Sequence, residues 1–245
     1  MIYDAPPKLW MPPRPAIIRA APRDPAIAMF PFPAFVPGGK APLVSFRGSL
    51  FSETTNVRTY STTIDLGAED ASRMIVVGTG CVTGSAEAPT GCTVDGAAAS
   101  LAVEHTDAGV TALPVQLWYI ARPTGGSVTV AFAKPGGADM DRGALAVWAV
   151  YYLKSTTPAD TASDATDALS LDLTVQSQAA VFAVGSSASN PVTWTYTGVA
   201  ADAEGGVSLR NTFASASGGS VSGGTRTITL DSSATARSGV SACWR

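Results

Sequence analysis

The chain has 245 residues, enough for one domain with a sizeable core or for a small domain with appendages. Only 14% of the residues are charged, against about 25% in an average soluble protein, and small and β-branched residues fill the difference. Three cysteines are too few for a disulfide scaffold, and no stretch reaches the ~20 apolar residues that cross a bilayer, so we expect no membrane insertion.

The first 42 residues have a composition of their own. They contain eleven of the chain's seventeen prolines, which fix φ and remove backbone donors, so this segment is predicted to be extended. Unlike ordinary disordered tails, it is rich in large apolar residues. We therefore predict that residues 1–42 form a docking arm on a neighbouring subunit. The anchoring side chains would be Tyr3, Leu9, Trp10, Ile17, Ile18, Phe30, Phe32 and Phe35.

Charge is distributed unevenly between the arm and the rest of the chain. Residues 1–42 carry a net charge of +3, and residues 43–245 carry −6. This difference favours an acidic docking surface for the arm. Five separated basic residues are a weak nucleic-acid footprint, so we expect no nucleic-acid partner. The N-terminus lacks the order of regions of a signal peptide, which predicts synthesis in the cytoplasm.

Residues 43–245 show the periodicity of β-strands throughout. About a dozen strands follow one another at short intervals, and no segment has the pattern of an amphipathic helix beyond one turn near Ala68–Ser72. The Asp95-Gly96 pair predicts a hairpin because both residues tolerate positive φ. We predict strands at 44–51, 57–66, 73–79, 92–94, 99–103, 115–121, 127–133, 144–153, 168–175, 179–184, 192–197, 207–213, 225–230 and 240–244.

This pattern predicts an all-β protein. We expect an antiparallel β-sandwich of the jelly-roll kind over residues 43–245, preceded by the extended proline-rich arm. The sequence shows no repeat period and no second domain, and the stretch 215–224 is predicted to be a flexible loop.

The sequence contains few residues that could form a catalytic or metal site. His105 is the only histidine, so a catalytic triad or a transition-metal site has little to build on. Carboxylates could serve as a glycosidase pair or, in the last group, as calcium ligands, but they lie in loop-like segments, where acids are usually solvated. The candidates are Asp139 with Asp141, Glu104 with Asp107, and the group Asp160, Asp164 and Asp167. We therefore expect no enzyme activity, no cofactor and no metal site.

Two cysteines lie at the ends of one turn-rich segment. Cys81 and Cys92 enclose a loop between two strands, and a disulfide between them is one alternative. Two reduced thiols are the other, and synthesis in the cytoplasm favours them.

Aromatic residues leave a second alternative open. Several tryptophans and tyrosines, among them Tyr151 and Tyr152, could form a sugar-binding platform, although core packing is the commoner explanation at strand positions. Trp194 and Tyr196 are the best candidates for a glycan contact, because the other face of their strand carries only threonines.

Several short sequences resemble phage proteins. The opening MIYDAPPKLWMPPRPAIIR (1–19) resembles the start of small virion-associated proteins encoded by tailed phages and prophages of alphaproteobacteria. The segments IDLG (64–67), RMIVVG (73–78), TVDG (93–96) and VQLWY (115–119) are similar to β-sandwich modules of phage tail, fibre and head-decoration proteins. The resemblance implies a structural role in a virion, with no catalytic residues to carry over.

The function we expect from this sequence is structural. The arm would dock on capsid, neck or tail subunits, and the sandwich would project as a decoration, spike or fibre module of an oligomeric assembly in the virion. The alternative is a receptor-binding module that recognises a host-surface glycan. A polysaccharide-degrading enzyme is the third reading.

Overall fold

The computed structural model describes residues 40–83, 87–107, 112–134, 139–165, 168–189, 192–208, 211–232 and 236–245. The predicted arm lies outside these ranges except for its last three residues, and all eight of its predicted anchors lie outside them. The described residues form β-strands and turns without a helix, which confirms the all-β prediction. It follows that no helix in these ranges could span a membrane.

The first half of the described chain forms a two-sheet sandwich. One sheet has the strand order β1-β9-β3-β7-β6 and the other has the order β2-β8-β4-β5, with every pair antiparallel. The first and last strands are neighbours, and β1 to β4 and β7 to β9 alternate between the sheets, as in a jelly roll. The strands are β1 Leu43–Ser52, β2 Thr59–Asp65, β3 Met74–Thr83, β4 Gly91–Val94, β5 Ala97–Ala98, β6 Ser100–His105, β7 Val115–Ala121, β8 Ser127–Ala133 and β9 Met140–Tyr151.

The second half forms a sandwich in the same way. One sheet has the order β10-β17-β12-β15-β14, and the other has the order β11-β16-β13. The strands are β10 Asp160–Asp164, β11 Ala168–Val175, β12 Ala179–Ser187, β13 Trp194–Thr197, β14 Ala200–Ser208, β15 Asn211–Val221, β16 Gly224–Ser232 and β17 Ala236–Trp244.

The two halves repeat one topology. When β10 to β13 are matched with β1 to β4, and β14 to β17 with β6 to β9, both sheet orders coincide. The one difference is β5, the two-residue strand that extends the smaller sheet of the first half. The described chain thus contains two jelly rolls in tandem, which divides the predicted sandwich region into two pairs of sheets.

The two jelly rolls share a buried face, which we call the central interface. It lies between the five-stranded sheets, and separate cores lie between each five-stranded sheet and its smaller partner sheet. Each five-stranded sheet is thus covered on both faces. This explains why β3, β9 and β12 are continuous apolar runs, whereas β11 alternates between buried leucines and exposed polar residues.

Aromatic rings form the middle of the central interface. The ring centroid of Trp148 lies 5.3 Å from that of Phe182, which lies 5.6 Å from that of Trp244. Trp148 is fully buried, and its Nε1 donates a 2.8 Å hydrogen bond to Oδ2 of Asp202 on β14 of the second roll. The first and second jelly rolls are therefore joined by packing and by a buried polar contact.

Several predicted elements coincide with observed ones. The strands predicted at 115–121, 127–133 and 168–175 have the predicted bounds, and Asp95 and Gly96 turn the chain with φ values of 53° and 79°. Two predictions were wrong. Residues 215–221 belong to β15 rather than to a flexible loop, and the strand predicted at 207–213 is divided between β14 and β15.

Glycines in β3 allow the two rolls to approach closely. A Cβ atom added at Gly80 would overlap the ring of Phe213 across the central interface. Gly80→Ala should therefore lower the free energy of unfolding by about 1–3 kcal/mol, the usual cost of overpacking a core. Chemical denaturation measures this difference. Gly91→Ala is the matched control, because no atom lies within 4 Å of a Cβ added there; equal stability of the two variants would contradict the close approach.

Asp202 makes the stability of the central interface depend on pH. Burial raises the pKa of its carboxyl, against the opposing effect of hydrogen bonds from Ser217 and Trp148. A raised folded-state pKa means that the folded state holds its proton more tightly, so stability falls as pH rises from about 3.9, the ordinary pKa of aspartate, through the folded-state value. Asp202→Asn removes the ionisation and should stabilise the protein more at about pH 7 than at about pH 3.

Denaturation at several pH values measures this difference. Asp172→Asn, on the exposed face of β11, makes the same chemical change without the burial. A benefit of Asp202→Asn that does not grow with pH would contradict the assignment.

Candidate functional site: a groove beside the first strand

An open depression on the described surface runs beside β1, an edge strand of its sheet. It is lined by the start of β1, by the loop after β2 and by two tyrosines at the end of β9, and it encloses about 770 Å³ including the solvent at its mouth. We call it the Tyr152 groove. Leu43, which lines it, is 55% exposed. The groove thus combines exposed apolar surface with polar groups.

Arg47 on β1 supplies hydrogen-bond donors to the groove. One terminal nitrogen of its guanidinium donates a 2.8 Å hydrogen bond to the hydroxyl of Tyr151. Its Nε is buried and has no partner among the described residues. Gly67, with φ of 75°, lies close to the same guanidinium, and a Cβ there would come within 3.7 Å of it. The guanidinium is thus held in place, while part of its donor capacity is unused.

Tyr152 adopts a strained backbone conformation. Its φ is 62°, in the left-handed region that bulky residues rarely enter. The Nζ of Lys40 lies 4.5 Å from the centroid of its ring, and the ring of Tyr151 lies 6.2 Å away. Left-handed non-glycine residues of this kind cluster at functional sites. The sequence pattern gave no signal for this conformation, because a tyrosine after an apolar strand predicts continued strand.

The opposite wall of the groove is held by a buried arginine. Arg73 is 2% exposed, and its guanidinium donates hydrogen bonds to five backbone carbonyl oxygens on two loops. Two of the acceptors, Leu66 and Ala68, lie at 2.8 Å in the loop that lines the groove. The other three acceptors are Arg122, Pro123 and Thr124. Arg73 was predicted only as the start of a strand, so this role was not foreseen.

Two carboxylates complete the groove. Oδ1 of Asp70 accepts hydrogen bonds from the backbone nitrogen and the hydroxyl of Ser72, at 2.8 and 2.6 Å. These two hydrogen bonds, with the charges of Arg73 and Lys40, hold the pKa of the Asp70 carboxyl below its usual range. Glu69 beside it is exposed. The Tyr152 groove therefore offers ionised acceptors opposite the donors of Arg47.

The predicted glycan residues lie elsewhere, on β13 of the second jelly roll. Trp194 is 5% exposed, and its ring packs in the core between the two sheets of that roll. Tyr196 is partly buried, and its hydroxyl donates a 3.2 Å hydrogen bond to Oε2 of Glu204. Of the tyrosines named in the sequence, Tyr151 and Tyr152 line the open groove, and Tyr152 is the more exposed of the two.

The two cysteines predicted as disulfide candidates face one core. Cys81 lies on β3 and Cys92 on β4, both thiols are buried between the sheets of the first jelly roll, and both are free. Burial raises the pKa of Cys92 to about 12 and also raises that of Cys81, for which Lys134 has the opposite effect. Neither thiol is therefore an ionised nucleophile near neutral pH.

The candidate acids bind the protein's own groups. Asp139 pairs with Arg58 at 3.0 Å, and Oδ1 of Asp141 accepts the backbone nitrogen of Asn56. Asp160 and Asp164 accept backbone nitrogens of β11, which tie the two sheets of the second roll together. Asp167 lies outside the described residues. In the ranges that the structure describes, no three His, Cys, Asp or Glu side chains come together as a metal site.

Comparison with known proteins identifies no relative. The chain matches no protein-family model, no curated protein and no solved structure. The groove and the double jelly roll are therefore interpreted from their own geometry.

Replacement of Arg73 should destabilise the fold strongly. Arg73→Met leaves five carbonyl oxygens without their donor, and each unsatisfied buried group costs about 1–3 kcal/mol, so we expect a loss of at least about 3 kcal/mol in the free energy of unfolding. Chemical denaturation provides the measurement.

Arg58→Met is the control, because Arg58 forms an exposed ion pair, which contributes about 0–1 kcal/mol. If the two variants lost similar stability, Arg73 would not be the structural support of this wall.

Proposed function

We propose that this chain is a structural component of a phage virion. Residues 1–42 dock on neighbouring capsid, neck or tail subunits, and the double jelly roll projects as a decoration, spike or fibre module. The proposal assigns no catalytic residue, and its partners are virion proteins and further copies of the chain. The resemblance of the first 19 residues to phage virion proteins is the starting point of this assignment.

The observation that carries the proposal is the tandem of jelly rolls with a common core. Jelly rolls recur in viral capsid proteins and in lectins. In this chain the central interface covers one face of each five-stranded sheet and the smaller sheets cover the other, so the two rolls form one compact unit rather than two modules on a linker. A compact unit of this kind suits a part that projects from a particle.

The junction between arm and jelly roll supports the same function. The described chain begins at Lys40, and β1 follows at Leu43 on the edge of its sheet. The carbonyl oxygen of Pro42 accepts a 3.0 Å hydrogen bond from the hydroxyl of Ser220 on β15, a strand of the second roll. The end of the arm is thus fixed to both rolls, so a force on the arm is transmitted to the whole body.

Removal of the arm tests the proposal. Deletion of residues 2–39 leaves every described residue in place, so the free energy of unfolding should be unchanged within about 0.5 kcal/mol. Incorporation into particles should be lost, since the burial of each large apolar anchor contributes about 1.5–3 kcal/mol. Mass spectrometry of purified particles from a host that carries the altered gene measures incorporation.

A matched control separates docking from general damage to the surface. Leu101→Ser changes an exposed apolar residue on β6, at the far edge of the same sheet, and should leave incorporation intact. Particles that retain the shortened chain at the normal copy number would refute the docking role of the arm. If the Leu101→Ser variant, which keeps the whole arm, were absent from particles, the docking surface would be assigned to the jelly rolls.

A further inference from the structure

We propose that the Tyr152 groove is a binding site for a neutral saccharide. The inference concerns the described jelly roll alone and does not depend on the docking role of the arm. It is supported by four features of the groove: its shape, the donors of Arg47, the opposing carboxylates and the aromatic ring of Tyr152.

The polar groups of the groove suit a polyhydroxylated ligand. Arg47 lines the groove and offers only donors, while Glu69 and Asp70 offer only acceptors. A hydroxyl group donates and accepts at once, so neighbouring hydroxyls of a sugar ring can pair with both kinds of group. A carboxylate or phosphate ligand would lie against the two acids, and a cationic ligand would lie against Arg47 and Lys40.

The accessible charges of the groove are of both signs. Arg47 and Lys40 stand against Glu69 and Asp70, while the Arg73 guanidinium in the wall is buried and bonded to carbonyl oxygens. A site of this kind has little net attraction for an ion of either sign, which favours a neutral ligand. Its affinity should then depend weakly on salt, because screening acts on net charge interactions.

An aromatic ring supplies the apolar contact that a sugar requires. Tyr152 lines the groove and is partly exposed, and ligand sites commonly combine such rings with a few placed polar groups. Its backbone conformation has a cost in stability, since left-handed non-glycine residues are disfavoured by roughly 1 kcal/mol. The ring also packs against the core of the first jelly roll and lies beside Lys40, so its position in the groove is fixed by the protein's own contacts.

Removal of the ring tests this contact. The purified full-length chain is applied to an array of neutral bacterial surface oligosaccharides, and the bound oligosaccharides are then titrated against variants by calorimetry. Tyr152→Gly removes the ring, so the dissociation constant should increase about tenfold or more. A cooperative thermal unfolding transition above the assay temperature shows that the loss of binding does not result from unfolding. Arg47→Met should weaken the same binding to a similar degree.

Gln178→Gly is the matched control. Gln178 has φ of 61° and lies in the turn between β11 and β12, away from the groove. Its replacement makes the same backbone change at a left-handed residue and should leave the dissociation constant unchanged within about twofold.

Three results would overturn the proposal. The first is an array without any bound oligosaccharide. The second is binding that Tyr152→Gly and Arg47→Met leave unchanged, or that disappears at high salt as expected of adsorbed ions. The third is loss of particle incorporation in both groove variants without saccharide binding, which would assign the groove to a protein partner.

Discussion

The central interface is the constraint on which the rest of the structure depends. Two five-stranded sheets pack face to face, with Trp148, Phe182 and Trp244 in contact at its middle. Small residues surround these rings, since Gly78 and Gly80 lie where a Cβ would collide with the opposite sheet. The large rings of one sheet fit the space left by small residues of the other, so the two surfaces are complementary in shape. Complementary surfaces of this kind allow protein interiors to pack as densely as organic crystals. The two jelly rolls cannot separate without the exposure of this face.

Burial on one or both faces also determines the pattern of apolar residues along each strand. A sheet with one solvent-exposed face has alternating buried and exposed residues along each strand. The smaller sheets follow this pattern, since Leu169, Leu171 and Leu173 are buried while the residues between them face solvent. The five-stranded sheets have no solvent-exposed face, so apolar and polar residues do not alternate in their central strands. Continuous apolar runs such as 144–151 therefore indicate position within the four-layer stack. They do not indicate whether the covering layer belongs to the same jelly roll.

This distinction sets the limit of what the sequence could predict. The strand content, the hairpin at Asp95-Gly96 and the inward face of β11 follow from local patterns, and these predictions are confirmed. The repeat does not follow, because the two rolls share strand order rather than residues. Residues 215–221 were mistaken for a loop because Ser, Ala and Gly are typical of loops. In β15 small residues are needed for close packing, and Ser215 and Ser217 are buried. The Tyr152 groove was equally hidden, since it is assembled from three segments distant in sequence.

The topology that the two rolls share also distinguishes positions needed for packing from positions where a functional residue can be placed without loss of packing. The cores and the central interface serve both rolls, so changes there are constrained by packing. Edges, turns and the exposed faces of the smaller sheets carry no such constraint, and differences between the rolls can accumulate there. The groove lies at such an edge, beside the strand that follows the arm. The strand order that the two rolls share does not by itself determine the left-handed conformation of Tyr152 or the unpartnered Nε of Arg47.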